Sequence, residues 1–326
     1  MRLAIIGCGL IGQKRVRALK EQHQIAFTVD LVRDRAEALA AQAQGAEATT
    51  DWLHAVSAPN VDAVIVATVN SALAPVTLAA AQHGKHVLVE KPGALRAEEL
   101  DPIIEAAQKN ALCVQVGFNH RYHPALQKAK QIVDSSDLGP LMFLRGRYGH
   151  GGRVGYEKEW RAKAEISGGG ELIDQGVHLI DLSRWFMGDF TIVEGHAHTY
   201  FWNMKVDDNA FLSLRTPKDQ TAWLHVSCSE WKNLFSLEIY GRDGKLQVDG
   251  LGGSYGVERL SYYKMLPKMG PPETTIWEYP GEDVSWKLEL ATFLEGVQQG
   301  KCLGPSLQDA RAALSVVSRI YEGFHP

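Results

Sequence analysis

An aspartate and a histidine near the middle of the chain, Asp174 and His178, have a spacing that suits proton transfer. They lie in a segment that directly follows the glycine triplet 168–170. Apolar residues recur in this segment at helical intervals, so the carboxylate and the imidazole are predicted to share one face of a helix, about one turn apart. Two titratable groups beside a glycine-rich approach favour acid–base chemistry on a small ligand. The spacing fits equally well a partly buried histidine bonded to a helix aspartate, and by itself leaves both interpretations open.

The composition is typical of a globular protein that is long enough for two domains. The 326 residues are 45% hydrophobic and 22% charged, with a formal net charge of −4. This balance gives no reason to expect nucleic acid or a membrane as partner. The four cysteines form no closely spaced pair, which argues against a disulfide framework or a structural zinc and favours the reducing cytoplasm. No apolar run approaches the length of a membrane span, and the short apolar start does not fit a signal peptide.

The first residues of the chain carry the pattern of a dinucleotide-binding turn. An apolar run at 3–6 is followed by three glycines in G-x-G-x-x-G spacing and then by a helix pattern. Such glycines permit a tight turn, close approach of a pyrophosphate and close packing of helix on strand. A second predicted strand ends at Asp30, whose carboxylate can accept hydrogen bonds from both ribose hydroxyls and would repel a 2′-phosphate, so NAD is expected. Arg33 and Arg35 could accommodate a phosphate, which keeps NADP as the alternative. The predicted cofactor contacts here are Gly7, Gly9, Leu10, Ile11, Gly12, Asp30 and Arg33.

Strands and helices continue to alternate as far as residue 118. Strand patterns at 63–68, 86–89 and 112–118 alternate with helix patterns at 36–44, 75–83 and 97–110. This series predicts a doubly wound parallel sheet whose ligand lies at the carboxyl ends of the strands. Lys91 follows such a strand and precedes a proline, and this position favours a catalytic role over that of a solvated loop lysine. The further predicted cofactor contacts are Thr68, Asn70, Glu90, Lys91 and Asn119.

Three motifs in this order give the chain a resemblance to the Gfo/Idh/MocA family, which includes glucose–fructose oxidoreductase and inositol 2-dehydrogenase. They are the glycine turn, Glu90-Lys91-Pro92, and the glycine triplet followed by Asp174 and His178. The resemblance covers essentially the whole chain. It implies a Rossmann domain at 1–120 and, at 121–326, an α/β domain with a large open, mostly antiparallel sheet. It also implies hydride transfer between NAD or NADP and a ring hydroxyl or ketone of a sugar, sugar derivative or cyclitol.

The resemblance also implies which residues are catalytic. The lysine of E-K-P and the aspartate and histidine of the later motif form the catalytic group of relatives, and they match Lys91, Asp174 and His178. His178 is expected to be the base in oxidation and the acid in reduction, Lys91 to stabilise the developing alkoxide, and Asp174 to orient the substrate or tune the histidine. The peptide bond between Lys91 and Pro92 is expected to be cis. The chain departs from relatives at Val69 and Leu73, where a proline and a histidine are usual.

The second domain supplies further candidates for substrate contacts. In the family, the junction that here holds Asn119, Arg121 and Tyr122 faces the cofactor and substrate, and a structural hinge is the alternative. A glycine-rich loop at 149–155 precedes the catalytic segment, and loops of this kind often carry binding residues. Trp231 lies between two predicted strands, where an indole could stack on a sugar or pack at a subunit interface. The predicted substrate contacts are Lys91, Arg121, Tyr122, Arg153, Tyr156, Trp160, Arg161, Asp174, His178, Trp231 and Asn233.

Strand patterns dominate the chain after the catalytic segment. They lie at 193–201, 209–214, 221–229 and 234–240, and a turn at 241–244 predicts a hairpin to 245–248. A sheet with one uncovered face would expose apolar area, so a homodimer or homotetramer through this sheet is expected. Residues 250–283 are predicted to form an extended loop or irregular strands over the site or a subunit contact. Helix patterns at 285–296 and 306–321 complete the chain.

Other functions fit parts of the same pattern. A redox-neutral enzyme could use transient NAD-dependent oxidation to cleave a glycosidic bond, or could retain NAD while it interconverts a sugar. A nucleotide-sensing regulatory protein would have no use for Lys91, Asp174 and His178 together. A metal enzyme is disfavoured because Asp174 and His178 lack a third ligand of suitable spacing. Sugars, sugar phosphates, nucleotide sugars and inositols all remain candidate substrates, and the aromatic and basic residues of the second domain favour a sugar or sugar derivative.

Overall fold

The chain forms two compact units in a computed structural model that describes residues 1–19, 23–43, 45–268 and 270–324. The first unit comprises Met1–Phe118 and Trp286–Leu314, and the second comprises Asn119–Ser285 and the residues from Ser315 onwards. The chain therefore first passes from one unit to the other close to the predicted domain boundary at residue 120. The segment 286–314, in contrast, folds with the first unit, although the sequence analysis assigned it to the second domain.

The first unit begins with alternating strands and helices. Its elements are β1 (Arg2–Ile6), α1 (Leu10–Ala18), β2 (Gln24–Val29), α2 (Arg33–Ala40), β3 (Glu47–Thr49), α3 (Trp52–Ser57), β4 (Ala63–Val66), α4 (Asn70–Gln82), β5 (His86–Glu90), α5 (Asp101–Lys109) and β6 (Val114–Gly117). Helix α4 begins at Asn70 and not at the predicted residue 75. Pro75 therefore lies inside the helix and not at its first position. Gln44, the predicted end of the second helix, lies outside the described residues.

The six strands of the first unit form one parallel sheet, as predicted. Their order is β3-β2-β1-β4-β5-β6. All four residues of β4 are buried, which explains why its sequence is a continuous apolar run rather than an alternating one. Because the strands are parallel, the carboxyl ends of β1, β4 and β5 lie at the same edge, where the residues predicted to bind the cofactor follow them.

The second unit carries the remaining strands. Its elements are α6 (Pro124–Asp134), β7 (Leu141–Gly149), α7 (Ala164–Ser167), a π-helical segment (Leu172–Gly176), α8 (Val177–Met187), β8 (Ile192–His198), β9 (Asn209–Arg215), β10 (Thr221–Ser227), β11 (Leu234–Gly241), β12 (Gly244–Asp249), β13 (Glu258–Lys264) and β14 (Glu273–Tyr279). The chain ends with α9 (Ser285–Gln299) and α10 (Leu307–Tyr321). Among the described residues, no helix is long and apolar enough to cross a membrane.

Helix α9 explains why a C-terminal segment joins the first unit. Its residues Leu290 and Phe293 are buried in one hydrophobic cluster with Leu3, Ile5 and Ile65 of the parallel sheet. The apolar stripe was visible in the sequence, but periodicity shows only that a helix has a buried face and not which sheet that face covers.

The strands of the second unit form one open sheet in the order β14-β13-β12-β11-β7-β10-β9-β8. Every pairing is antiparallel except that of β7 with β10, which confirms the expected mostly antiparallel sheet. Helices α6 and α8 pack on this sheet. The prediction of a loop or irregular strands for 250–283 was wrong at 258–264 and 273–279, because β13 and β14 are regular strands that extend the sheet at one edge.

Candidate active site

The glycine turn after β1 has the geometry that dinucleotide binding requires. Gly7 has a φ of +100°, and a Cβ there would lie 2.3 Å from the carbonyl oxygen of Ala67. A Cβ on Gly12 would lie 2.1 Å from the carbonyl oxygen of Gly7, so only glycine lets α1 pack so closely on the strand. A Cβ on Gly9, in contrast, would meet no atom within 4 Å. The backbone beside Gly9 is therefore open to a pyrophosphate at the start of α1, where Leu10 is exposed, and the turn fits NAD.

Asp30 is fixed beside this turn. Its carboxylate accepts hydrogen bonds from the amide of Cys8 (3.0 Å) and the amide of Val32 (2.9 Å). Burial, together with the charge of Asp30, raises the pKa of Cys8 to about 12, so this thiol stays neutral near the cofactor turn. The guanidinium of Arg33 pairs with Glu37 on the exposed surface of α2. The structure thus gives the carboxylate a fixed position from which it could bind a ribose.

Glu90 belongs to a buried ion network that the sequence did not reveal. The Nε and Nη2 atoms of Arg15 donate to Glu90 Oε1 at 2.9 and 2.5 Å, and Nη2 lies 2.6 Å from Glu289 Oε2. Burial acts against the charge of Arg15, but the two carboxylates raise its pKa above the ordinary value. The network joins α1, the end of β5 and α9. It therefore fixes the residue that directly precedes Lys91.

The residues around the ends of β4 and β5 have the predicted local geometry. The peptide bond between Lys91 and Pro92 is cis, which confirms the expectation. Lys91 is partly buried. Asn70 is buried at the first position of α4, and the hydroxyl of Thr68 donates to the carbonyl of Val69.

The segment that holds the predicted catalytic residues Asp174 and His178, named the catalytic segment for this prediction, is held at its start by Asp207. This buried carboxylate accepts hydrogen bonds from the amides of Gly170 (2.9 Å) and Leu172 (2.8 Å) and from the hydroxyl of Tyr321 (2.6 Å). A Cβ on Gly169 would lie 2.3 Å from the hydroxyl oxygen of Tyr321, and one on Gly170 would lie 1.9 Å from the carbonyl oxygen of Asp207. Gly169 and Gly170 are therefore required by the protein's own packing.

Asp174 and His178 lie on one continuous helical segment, as predicted, but the segment starts as a π-helix and not as an α-helix. Asp174 lies in the π-helical part, and its Oδ2 accepts a hydrogen bond from Arg161 Nε at 3.1 Å. His178 is buried in α8 and stacks on His120, with ring centroids 3.8 Å apart and planes inclined by 20°. Arg161 thus orients the carboxylate, and His120 limits the rotation of the imidazole.

A second acid–histidine pair lies next to this segment. His150 Nε2 is 3.5 Å from Oε1 of Glu171, a buried residue directly after the glycine triplet. Burial acts to lower the pKa of His150, but the hydrogen bond and charge of Glu171 raise it above the ordinary value. The amide of Gly152 donates to His150 Nδ1 (3.0 Å) and opposes protonation there, because that bond would be lost. Burial also keeps the nearby phenol of Tyr148 neutral by raising its pKa.

The junction residues Asn119 and Arg121 form side-chain hydrogen bonds within the second unit. The side chain of Asn119 donates to the hydroxyl of Ser285 (2.9 Å) and contacts His120 Nδ1 (3.2 Å). Arg121 forms two hydrogen bonds with the buried Asp181 of α8, at 2.8 and 2.6 Å. The third junction residue, Tyr122, is buried. These contacts tie the junction to the catalytic helix, and a direct role in ligand binding stays a prediction.

The remaining predicted substrate residues fall into two groups. Tyr156 is buried near His150, and the guanidinium of Arg161 lies over the ring of Trp160 (4.5 Å). Arg153 pairs with Glu159 on the exposed side of the loop, and the amide of Asn233 donates to the carbonyl of Ser254. Trp231 is exposed. The structure therefore brings Tyr156 and Arg161 to the catalytic segment of the second unit, whereas Arg153, Trp231 and Asn233 lie at its exposed rim.

Several residues that surround Asp174 and His178 were not predicted from the sequence. They are His120, Tyr148, His150, Glu171 and Asp207. His120 and Glu171 lie within stretches that the motifs had already drawn attention to, so their position gave a signal. Asp207 gave none, because its partners at Gly170, Leu172 and Tyr321 are distant in the sequence and only the fold brings them together.

These features define a class of protein. The first unit has a parallel sheet with a dinucleotide turn and an acidic residue after its second strand. The second unit has an open sheet that carries a helical segment with an aspartate and a histidine. This is the architecture of a nicotinamide-dependent oxidoreductase. Residues 1–118 match the oxidoreductase family with an NAD-binding Rossmann fold, and residues 126–247 match the GFO/IDH/MocA C-terminal domain. The chain belongs to the GFO/IDH/MocA family of oxidoreductases, which confirms the resemblance drawn from the motifs.

Individual relatives agree with this assignment. The chain is 34% identical to inositol 2-dehydrogenase 2 of Saccharopolyspora erythraea, over 95% of this chain and 81% of the relative. It is 26% identical to the scyllo-inositol 2-dehydrogenase (NAD(+)) of Bacillus subtilis, over 97% and 91%. A solved levoglucosan dehydrogenase in complex with NADH and levoglucosan has the same fold, with a TM-score of 0.88 at 21% identity over 99% of this chain and 96% of that one.

Proposed function

We propose that this protein is an NAD-dependent dehydrogenase that transfers a hydride between nicotinamide and a ring hydroxyl or ketone of a sugar, sugar derivative or cyclitol. The observation that carries the proposal is the placement of Asp174 and His178 on one helical segment, where Arg161 contacts the carboxylate and His120 stacks on the imidazole, in a chain whose first unit has an NAD-binding turn. Relatives named as inositol dehydrogenases support the substrate class. NAD would lie against Gly7, Gly9 and Gly12 and, when bound, would accept the hydride.

The residues of the chain handle the proton. His178 would take the proton of the reacting hydroxyl in oxidation and return it in reduction. Lys91 would donate a hydrogen bond to that oxygen and stabilise its developing negative charge. Asp174 would accept a hydrogen bond from a neighbouring hydroxyl, and Arg161 would keep its carboxylate in one orientation. The stack of His120 on His178 supports this assignment, because a general base must stay in one position relative to its substrate.

The choice between NAD and NADP rests on Asp30. One carboxylate oxygen accepts the amide of Cys8 in the glycine turn and the other accepts the amide of Val32 before α2, so the negative charge is held in place beside the expected ribose. A 2′-phosphate at this position would meet that charge. Arg33, which pairs with Glu37, would not compensate for it. We therefore propose NAD as the cofactor in use.

The replacement of Lys91 by methionine tests the catalytic assignment. Lys91→Met keeps the shape of the unbranched side chain but removes its terminal amine and charge, so turnover should fall by roughly 10²-fold or more while NAD binding changes little. NADH formation would be followed by absorbance with a panel of sugars and inositols, and NAD binding by calorimetry. Lys109→Met, at an exposed position on α5, is the matched control. Turnover of Lys91→Met close to that of the control would refute the assignment.

The same assay separates a dehydrogenase from a redox-neutral enzyme. A dehydrogenase releases NADH in proportion to the substrate consumed. An enzyme that retains its cofactor, or that cleaves a glycosidic bond through transient oxidation, would consume substrate without a lasting gain in NADH absorbance.

We further propose that a second copy of the chain covers the sheet of the second unit. Phe143, Trp223 and Ile276 are exposed on the side of the sheet that their strand registers place opposite the inward-facing Leu144 and Leu224. A self-complementary pairing of two such faces would bury these side chains.

The four cysteines are free, and three of them are buried, which supports a location in the reducing cytoplasm.

A further inference from the structure

The exposed tryptophan at the rim of the second unit has an unusual backbone conformation. Trp231 has a φ of +57°, in the left-handed region that glycine and asparagine tolerate and bulky residues avoid. Its side chain is 66% exposed, so burial does not compensate for this backbone strain. Residues kept in an unfavourable conformation cluster at binding and catalytic sites, where their side chain has a function.

Trp231 is the outer end of a continuous series of aromatic contacts. Its ring packs edge-on against Phe201 (4.6 Å between centroids), and Phe201 packs against Trp202 (5.1 Å). Trp202 contacts Tyr156 (5.6 Å), which contacts His150 (5.7 Å). His150 in turn faces Glu171, three residues before Asp174. Aromatic side chains thus lead without interruption from the exposed rim to the catalytic segment.

The outer two rings of this series, those of Phe201 and Trp231, are named the rim platform. Phe201 is 56% exposed. The platform is rigid, because the fully buried carboxylate of Asp208 accepts the backbone amides of Tyr200 (2.8 Å), Phe201 (2.7 Å) and Trp202 (2.9 Å). The preceding residue, Asp207, binds the start of the catalytic segment. Two consecutive carboxylates therefore fix the platform and the catalytic segment relative to each other.

The glycine-rich loop accommodates this arrangement. The connection from β10 to β11, which carries Trp231, crosses the end of β7, since β7 lies between those two strands. A Cβ on Gly151 would lie 3.0 Å from the Cα of Trp231, and one on Gly152 would lie 2.4 Å from the indole of Trp202. The glycines therefore serve to seat the two indoles against the loop, with the outer indole left exposed.

We propose that the rim platform binds a second sugar ring, joined by a glycosidic bond to the ring that is oxidised, so that disaccharides or longer saccharides are the preferred substrates. Aromatic faces stack on the C–H surfaces of sugar rings and exclude water from them. One ring would react beside Asp174 and His178, and the second ring would stack on the exposed surfaces of Phe201 and Trp231 at the outer end of the aromatic series. This inference rests on the proposed function, which supplies the first ring.

The test is a binding titration that does not depend on turnover. Tryptophan fluorescence of the NADH-bound protein would be titrated with disaccharides of glucose, galactose and mannose and with the component monosaccharides. Relative to the wild type, the loss of affinity of Trp231→Gly for a disaccharide should be at least about tenfold larger than its loss of affinity for the component monosaccharide. Trp231→Phe should restore most of the lost affinity. The melting temperature of Trp231→Gly should equal or exceed that of the wild type, because the strained backbone is relieved.

Asp219→Gly is the matched control, since Asp219 has a φ of +58° in the exposed turn between β9 and β10. It relieves the same backbone conformation and should leave saccharide binding unchanged. Equal losses for disaccharide and monosaccharide in Trp231→Gly, or no saturable binding of any disaccharide, would overturn the proposal. A smaller particle mass of Trp231→Gly in solution would also overturn it, since the indole would then be a subunit contact. Disaccharide binding that needs Trp231 but yields no NADH would support the platform and refute the proposed dehydrogenase.

Discussion

Replacement of Asp207 by asparagine should change how the stability of the protein depends on pH. Asp207 is fully buried, and its carboxylate accepts three hydrogen bonds that hold the start of the catalytic segment. Burial raises the pKa of this carboxyl from 3.8 to about 6, although the hydrogen bonds from Tyr321, Leu172 and Gly170 act in the opposite direction. Asp207→Asn has nearly the same shape and cannot ionise.

The raised pKa determines the sign and size of the effect. Between pH 3.8 and about 6 the folded protein binds more protons at Asp207 than the unfolded chain does, so the free energy of unfolding falls as the pH rises. The difference between the two pKa values corresponds to about 3 kcal/mol. This contribution is fully present below pH 3.8 and is lost as the pH rises through 6. The asparagine variant lacks it at every pH.

Urea unfolding of wild type and Asp207→Asn at several pH values between about 4 and 7.5 measures the effect. The variant carries a constant offset, because its amide nitrogen cannot accept the hydrogen bond from Leu172, and that offset does not change with pH. Relative to the wild type, the variant should gain about 2.5 kcal/mol across this range. Asp219→Asn, in an exposed turn, is the control, since it shows how the same substitution at an exposed position changes the free energy of unfolding. Parallel pH profiles for wild type and Asp207→Asn would refute the reasoning.

Two further substitutions test the ion network of the first unit and the sheet face of the second. Arg15→Met leaves Glu90 and Glu289 buried together without their cation and should reduce the free energy of unfolding by about 3–5 kcal/mol, whereas Arg311→Met removes an exposed pair and should cost much less. Urea unfolding of both variants checks this, and equal losses would contradict it. Trp223→Glu places a charge on the exposed sheet face and should convert the proposed oligomer to monomers. Light scattering would measure the particle mass, and an unchanged mass would exclude pairing through that face.

Much of the fold and part of the site were predictable because their signals are local. The glycine turn, the alternating strands and helices of the first unit and the stripe of Ile173, Val177 and Ile180 follow from residues close together in sequence, and all three apolar residues are fully buried. Regions without such a signal were predicted less well. Residues 250–283 were expected to be irregular, since their glycines and prolines obscured the pairing of β13 with β14.

Contacts between distant residues could not be obtained in this way. The sequence placed Glu90 at a strand end but gave no sign of Arg15 or Glu289, because a buried ion pair needs only complementary charges and no fixed spacing. In the same way, the apolar stripe of α9 did not indicate that the helix packs on the parallel sheet and so returns a late segment of the chain to the first unit.

The sequence by itself determined the family, the NAD-binding turn and the identity of Lys91, Asp174 and His178 as candidates, because these depend on residue type and short-range spacing. The tertiary structure alone decided what holds those residues. Asp207 fixes the glycine triplet, His120 stacks on His178, and Trp231 stands exposed in a strained conformation at the end of an aromatic series. Each of these contacts joins segments that are far apart in the chain, and such segments meet only when the sheets and helices between them have packed.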